Sequence, residues 1–181
     1  VVAIIGILAA IAIPQFASYR ARAFNSASQS DLRNLSTAQE SLYADTQGYG
    51  EMIDAVGTLT VGDAATGAVD LTGPAQPATS GLDGAYIFNA FGNQGFAISN
   101  GVTVEGNILV TGAAGSVVGT TYVLSAQHSQ GTFAYGRDAD SSSVYRIPKD
   151  AADEDGDAGS AVVLPAPVID TIDFVDQWQA I

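Results

Sequence analysis

Residues 1 to 13 carry no charge and no side-chain hydrogen-bonding group. A terminal segment of that kind cannot rest in water, so it belongs in a bilayer, in a protein core, or in each in turn. It runs without a turn signal into a polar helical pattern that reaches about Gln47. One continuous helix, greasy at its start, therefore leads the chain. These residues span only about 20 Å as a helix, short of the roughly 30 Å hydrocarbon core that about 20 residues cross. No charged region stands ahead of the run, so it does not make a complete secretory signal. The chain reads as beginning inside its hydrophobic segment.

Gly6 costs this helix roughly 1 kcal/mol relative to Ala, and Pro14 removes the hydrogen bond to the Ala10 carbonyl. A plain anchor needs neither, whereas a helix that bends or opens locally while packed among others uses both. Gly6, Ala9, Ala10 and Ala12 also let neighbouring helices approach closely. From Ala17 to about Asp45 helix formers dominate. Leu32, Leu35, Ala38, Leu42 and Tyr43 recur at spacings of three and four, an apolar stripe that can seat a head domain. Gly48 is the expected C-terminal cap. The division is thus a helix over 1–47 and an acidic, β-rich head over 48–181.

Charge separates the two parts. Residues 1–50 set Arg20, Arg22 and Arg33 against Asp31, Glu40 and Asp45, which cancel. Residues 51–181 set 16 acidic side chains against Arg137, Arg146 and Lys149, so the whole net charge of −13 belongs to the head. Such a surface argues against direct nucleic-acid binding, where basic residues supply the attraction, and favours a soluble outer face. Apolar content of 47% with 14% charged residues is that of a globular chain. With no cysteine, disulfides, thiolate metal sites and Cys nucleophiles are excluded.

The opening run Val-Val-Ala-Ile-Ile-Gly-Ile-Leu-Ala-Ala-Ile-Ala-Ile-Pro-Gln-Phe, with Tyr19 to Ala27 and Ser30 to Leu35 after it, resembles the N-terminal signature of bacterial type IV pilins. It is most similar to those of the metal-reducing deltaproteobacterial type, over about the first 50 residues. The resemblance implies an α+β fold, a long stalk helix packed on an antiparallel sheet. It also implies a homo-oligomeric helical filament with stalks in the core, an inner-membrane stage before assembly, and a pilus assembly machinery. Val2, Ile5, Gly6, Leu8, Ile11, Pro14 and Phe16 are the residues expected to pack the core, and 6–14 the stretch expected to unwind there. The family's cleaved glycine, methylated N-terminal phenylalanine and docking glutamate have no counterpart in this sequence, so those roles attach to no residue. Roughly eight further residues would bring the apolar segment to bilayer length.

Phe16, Tyr19, Phe24, Tyr43 and Tyr49 punctuate the helix and its exit. In metal-reducing relatives such an aromatic stripe is proposed to carry electrons. The plainer reading is that the rings pack helices against each other and against the head. No haem attachment motif is present.

Residues 48–84 are broken by repeated Gly and Pro and form a connection, with edge strands expected at 58–61 and 68–71. Beyond Gly84, short β-branched and aromatic runs at 85–91, 95–99, 102–104, 108–111, 120–125, 132–135 and 144–147 read as an antiparallel sheet. His128 is the single histidine, and no Ser-His-Asp order supports catalysis, so it reads as a structural or surface residue. Asp153, Asp155 and Asp157 alternate around a glycine turn, a pattern that suits calcium. Leu164 stands where a calcium loop of the EF-hand type needs its glutamate, and a solvated acidic loop is the other reading. The last stretch, 162–181, is apolar enough to pack back as a strand, a short helix or an intersubunit contact.

No enzyme is expected. The functions that remain are a pilus subunit serving adhesion, motility or surface contact, a type II secretion pseudopilin, and a conductive fibre.

Overall fold

The computed structural model describes residues 2–53, 69–74, 76–77, 84–111, 118–149, 174 and 178–181. Helix α1 runs unbroken over Val2–Thr46, passing through Pro14. Gln47 ends it, taking a left-handed φ of 59° while its amide still donates to the Tyr43 carbonyl at 2.8 Å. The expected cap, Gly48, has another task. A Cβ there would run into the Val118 side chain, so glycine lets two segments cross in close contact.

Among the described residues ten strands follow: β1 (Glu51–Ile53), β2 (Val69–Thr72), β3 (Gln76–Pro77), β4 (Gly84–Asn89), β5 (Gly92–Phe96), β6 (Val102–Thr111), β7 (Val118–His128), β8 (Phe133–Asp138), β9 (Tyr145–Pro148) and β10 (Gln179–Ala180). They form two sheets where the sequence suggested one. The larger has the order β10-β9-β8-β7-β6-β2 and is antiparallel throughout. The smaller joins β1, β4 and β3, with β5 paired to β4. Helix and antiparallel sheets together make an α+β fold.

Two expected strands, 102–104 and 108–111, are one strand, β6. The Glu105-Gly106-Asn107 interruption does not break it, because Gly106 is paired on both sides, to Val69 and to Leu124. Gly106 leaves room where a Cβ would meet Met52 Cε at 2.9 Å and Leu124 Cδ2 at 3.1 Å. The edge strand expected at 68–71 is β2, one residue later; the one at 58–61 lies outside the described residues.

Alternation along the strands divides the sheet into two covered faces. Leu124, Ala126 and Tyr135 join Leu32, Leu35, Ala38 and Leu42 of α1 in the main core. Their neighbours Val123, Ala134, Tyr145 and Ile147 point the other way and are covered by Phe174 and Trp178. The described C-terminal residues thus pack back on their own head: β10 pairs β9, and the Phe174 ring stacks on Tyr145 at 5.3 Å.

Candidate functional site

The feature that most needs an explanation is the uncovered half of α1. Val2, Ile4, Ile5, Ile7, Leu8, Ile11, Ile13, Phe16 and Tyr19 are each between 60% and 84% exposed. The first buried residue of the helix is Ser28. Covering these nine side chains is worth on the order of 15 kcal/mol, as much as the whole stability of a typical domain. Water is therefore not their resting place. The helix is long and apolar enough to cross a membrane, and its apolar part is unburied by the head. Of the residues expected to pack a filament core, Val2, Ile5, Gly6, Leu8, Ile11, Pro14 and Phe16 all lie on this uncovered half.

A collar of polar and aromatic contacts holds the helix where it meets the head. Asn25 bridges to the β7–β8 turn: its Oδ1 accepts from Thr132 N at 2.9 Å, and its Nδ2 donates to Thr132 Oγ1 at 2.9 Å. One turn earlier, Arg20 donates to Gln130 Oε1 at 3.2 Å and stands 5.5 Å from the centre of the Phe24 ring. Phe24 in turn stacks on His128 at 4.1 Å. His128 is buried, and its Nδ1 accepts from Gln130 N at 3.0 Å. Burial holds its pKa below the usual histidine range, with the Lys149 cation adding to the effect and a bond to the Asn100 backbone opposing it. The ring is thus neutral and structural, the buried one of the two readings its sequence setting allows.

Further along, polar side chains on the buried face tie helix to sheet. Asp31 accepts from Ser99 N at 2.7 Å and Ser99 Oγ at 3.0 Å. Gln39, fully buried, clasps one peptide residue with both ends of its amide, donating to Gly50 O at 2.7 Å and accepting from Gly50 N at 2.9 Å. Asn89 donates to Thr46 Oγ1 and Gly48 O, and accepts from Phe91 N and Gly92 N. It closes the helix end onto the β4–β5 hairpin. From the sequence alone Asp31, Gln39 and Asn89 carry no assigned bonding role; for Asp31 and Gln39 the signal was their place inside the apolar arc of the helix.

The aromatic stripe resolves into separate groups. Phe16 and Tyr19 stand on the uncovered helix, and Phe24 is in the collar. Tyr43 stacks on Tyr49 at 4.7 Å, and Tyr49 meets Tyr122 edge-on at 4.7 Å. The Tyr122 hydroxyl donates to Glu40 Oε1 at 2.9 Å. Burial first, then the Glu40 charge, raises the Tyr49 pKa to about 12 and that of Tyr122 well beyond the usual phenol range. Both rings stay protonated. Phe24 and Tyr43 are about 28 Å apart along the helix, and no ring contact among the described residues joins the two groups. Asp153, Asp155 and Asp157, the calcium candidates, lie outside the described residues.

A helix uncovered and apolar at one end, seated on an α+β head at the other, fits a chain anchored in a membrane or an assembly. The chain is 46% identical over 57 residues to the type IV major pilin protein PilA of Myxococcus xanthus (strain DK1622). That match takes in 32% of this chain and 26% of the relative, about a quarter of its length. The similarity, the apolar N-terminal helix and the α+β architecture together fit a type IV pilin. No protein-family model matches the chain. No solved structure matches it either.

Proposed function

We propose that this chain is the structural, non-enzymatic subunit of a type IV pilus, polymerising through α1 into a helical filament of identical copies. The observation that carries the reading is the helix half that its own head leaves bare. Before assembly the bilayer covers it; in the fibre, the same faces of neighbouring copies do. Val2, Ile5, Gly6, Leu8, Ile11, Pro14 and Phe16 are then core-packing residues, with Gly6 and Pro14 the points where the helix gives way. The chain passes from the inner membrane, by way of a pilus assembly machinery, to the cell surface. There the acidic heads form a soluble outer wall suited to contact, adhesion or motility.

Electron microscopy of fibres sheared from cells making this chain, at a resolution that traces it, tests the reading. Fibres of this one subunit with the start of α1 at the centre are the expected result. If no surface fibre contains the chain, the pilus reading fails and a short secretion-system pseudopilus takes its place. The same map measures whether Phe16 and Tyr19 of one copy link the ring groups of others, the condition a conductive fibre must meet.

A further inference from the structure

The chain has six cationic side chains, and four of them serve their own head. Arg20 is bonded to Gln130, and Arg146 lies 5.1 Å from the centre of the Phe133 ring. Lys149 donates to the His128 and Ser129 carbonyls, and the charge of half-buried Arg137 acts on the Tyr122 hydroxyl. The other two, Arg22 and Arg33, are exposed on α1, and their guanidinium groups have no partner among the described residues. They stand eleven positions apart, three turns of helix, so they share one face about 16 Å apart. Ser26 and Ser30, both exposed, lie between them and leave the guanidinium groups open to approach.

Of the three acids of the same helix, Asp31 is buried, Glu40 stands exposed two turns beyond Arg33 on the same face, and Asp45 is exposed in the last turn. Asp31 is bound by Ser99 and Glu40 by Tyr122. What remains outward between residues 22 and 33 is a basic face on a chain whose head carries 16 acids against 3 bases. This face continues directly from the bare apolar segment, three residues beyond Tyr19. Whatever covers Tyr19 therefore reaches Arg22.

We propose that Arg22 and Arg33 receive the acidic head of a second copy of this chain. The inference rests on the fibre reading above and adds to it the partner surface. Heads that each carry the full net charge of −13 repel one another in a regular array. Two unengaged guanidinium groups per copy, held at a set spacing on a rigid helix, offset that repulsion and fix which way neighbours face. Anionic lipid headgroups are the competing occupant, since Arg22 also stands just past the bare apolar segment.

The test places a photoreactive benzoylphenylalanine at Ser26, which keeps both arginines, and irradiates sheared fibres. Cross-links to residues 51–181 of another copy are expected; cross-links confined to neighbouring helices or to lipid overturn the proposal. In parallel, the double variant Arg22→Glu/Arg33→Glu is expected to lower fibre yield about tenfold. Arg22→Lys/Arg33→Lys should stay near the wild-type yield. The urea midpoint of each variant in detergent checks that the head is intact, which exposed positions predict. Undiminished fibres from the glutamate variant sink the docking alone, whereas absence of wild-type fibres removes the pilus reading with it.

Discussion

Gln39 is the position where a single substitution reports most directly on how the helix holds the head. Its carboxamide occupies a fully buried site and satisfies both backbone groups of Gly50 at 2.7 and 2.9 Å. Gln39→Ala removes both bonds and leaves a buried N–H and a buried C=O without partners. Each orphan costs about 1–3 kcal/mol, because the group has given up water and gained nothing. The vacated volume adds a cavity term of about 1 kcal/mol. The sum is about 3–7 kcal/mol, a large part of the 5–15 kcal/mol that holds a typical domain. For a head of this size that lowers Tm by about 10–20 °C. Gln39→Leu separates the two contributions, since it fills the space and restores neither bond. Thermal and urea unfolding of the protein in detergent, followed by Trp178 fluorescence, measures both variants. A Tm within about 3 °C of wild type for Gln39→Ala refutes the reasoning. So does full recovery by Gln39→Leu, which would leave packing as the whole effect.

Other perturbations test other joints. Asn25→Ala is expected to cost about 1–3 kcal/mol and to loosen the β7–β8 turn selectively, with faster hydrogen exchange at the Thr132 and Phe133 amides that now bond to it. Gly50→Ala places a Cβ 2.8 Å from the Phe88 carbonyl, which cannot move aside as a side chain would, and should destabilise by about 1–3 kcal/mol in the same unfolding assay. His128 has a folded pKa below its unfolded value of 6.5, so the unfolded chain binds the extra proton first. Its contribution is full above that value and is lost as pH falls through 6.5 toward the folded pKa. His128→Gln should therefore flatten the loss of stability between about pH 7 and 5, and an unchanged slope would contradict the assignment.

Much of the architecture is legible in the sequence because it depends on local patterns. A charge-free run with no loop signal specifies a long apolar helix, and the three-and-four spacing of Leu32, Leu35, Ala38 and Leu42 specifies which side meets the head. Tyr43, at the edge of that arc, is 38% exposed and stacks on Tyr49 instead. Short β-branched runs announce strands, but Gly106 shows the limit of reading breaks from glycine. Inside a sheet, two flanking partner strands hold β6 together through a residue that would end an edge strand.

What the sequence by itself determined is the division of labour: an apolar helix that water rejects, joined to an acidic β-rich head. Hydrophobic periodicity and net charge are sums over neighbours in the chain, so they survive without coordinates. What only the tertiary structure decided is pairing across distance. The Asn25 bridge spans 107 residues of sequence and the Asp31–Ser99 bond 68, and nothing in local composition names either partner. The same holds for the two sheets, for the face covered by Phe174 and Trp178, and for the pair of arginines left facing outward. Hydrogen-bond geometry is specific to a few tenths of an ångström, and only the folded chain brings such groups within that reach.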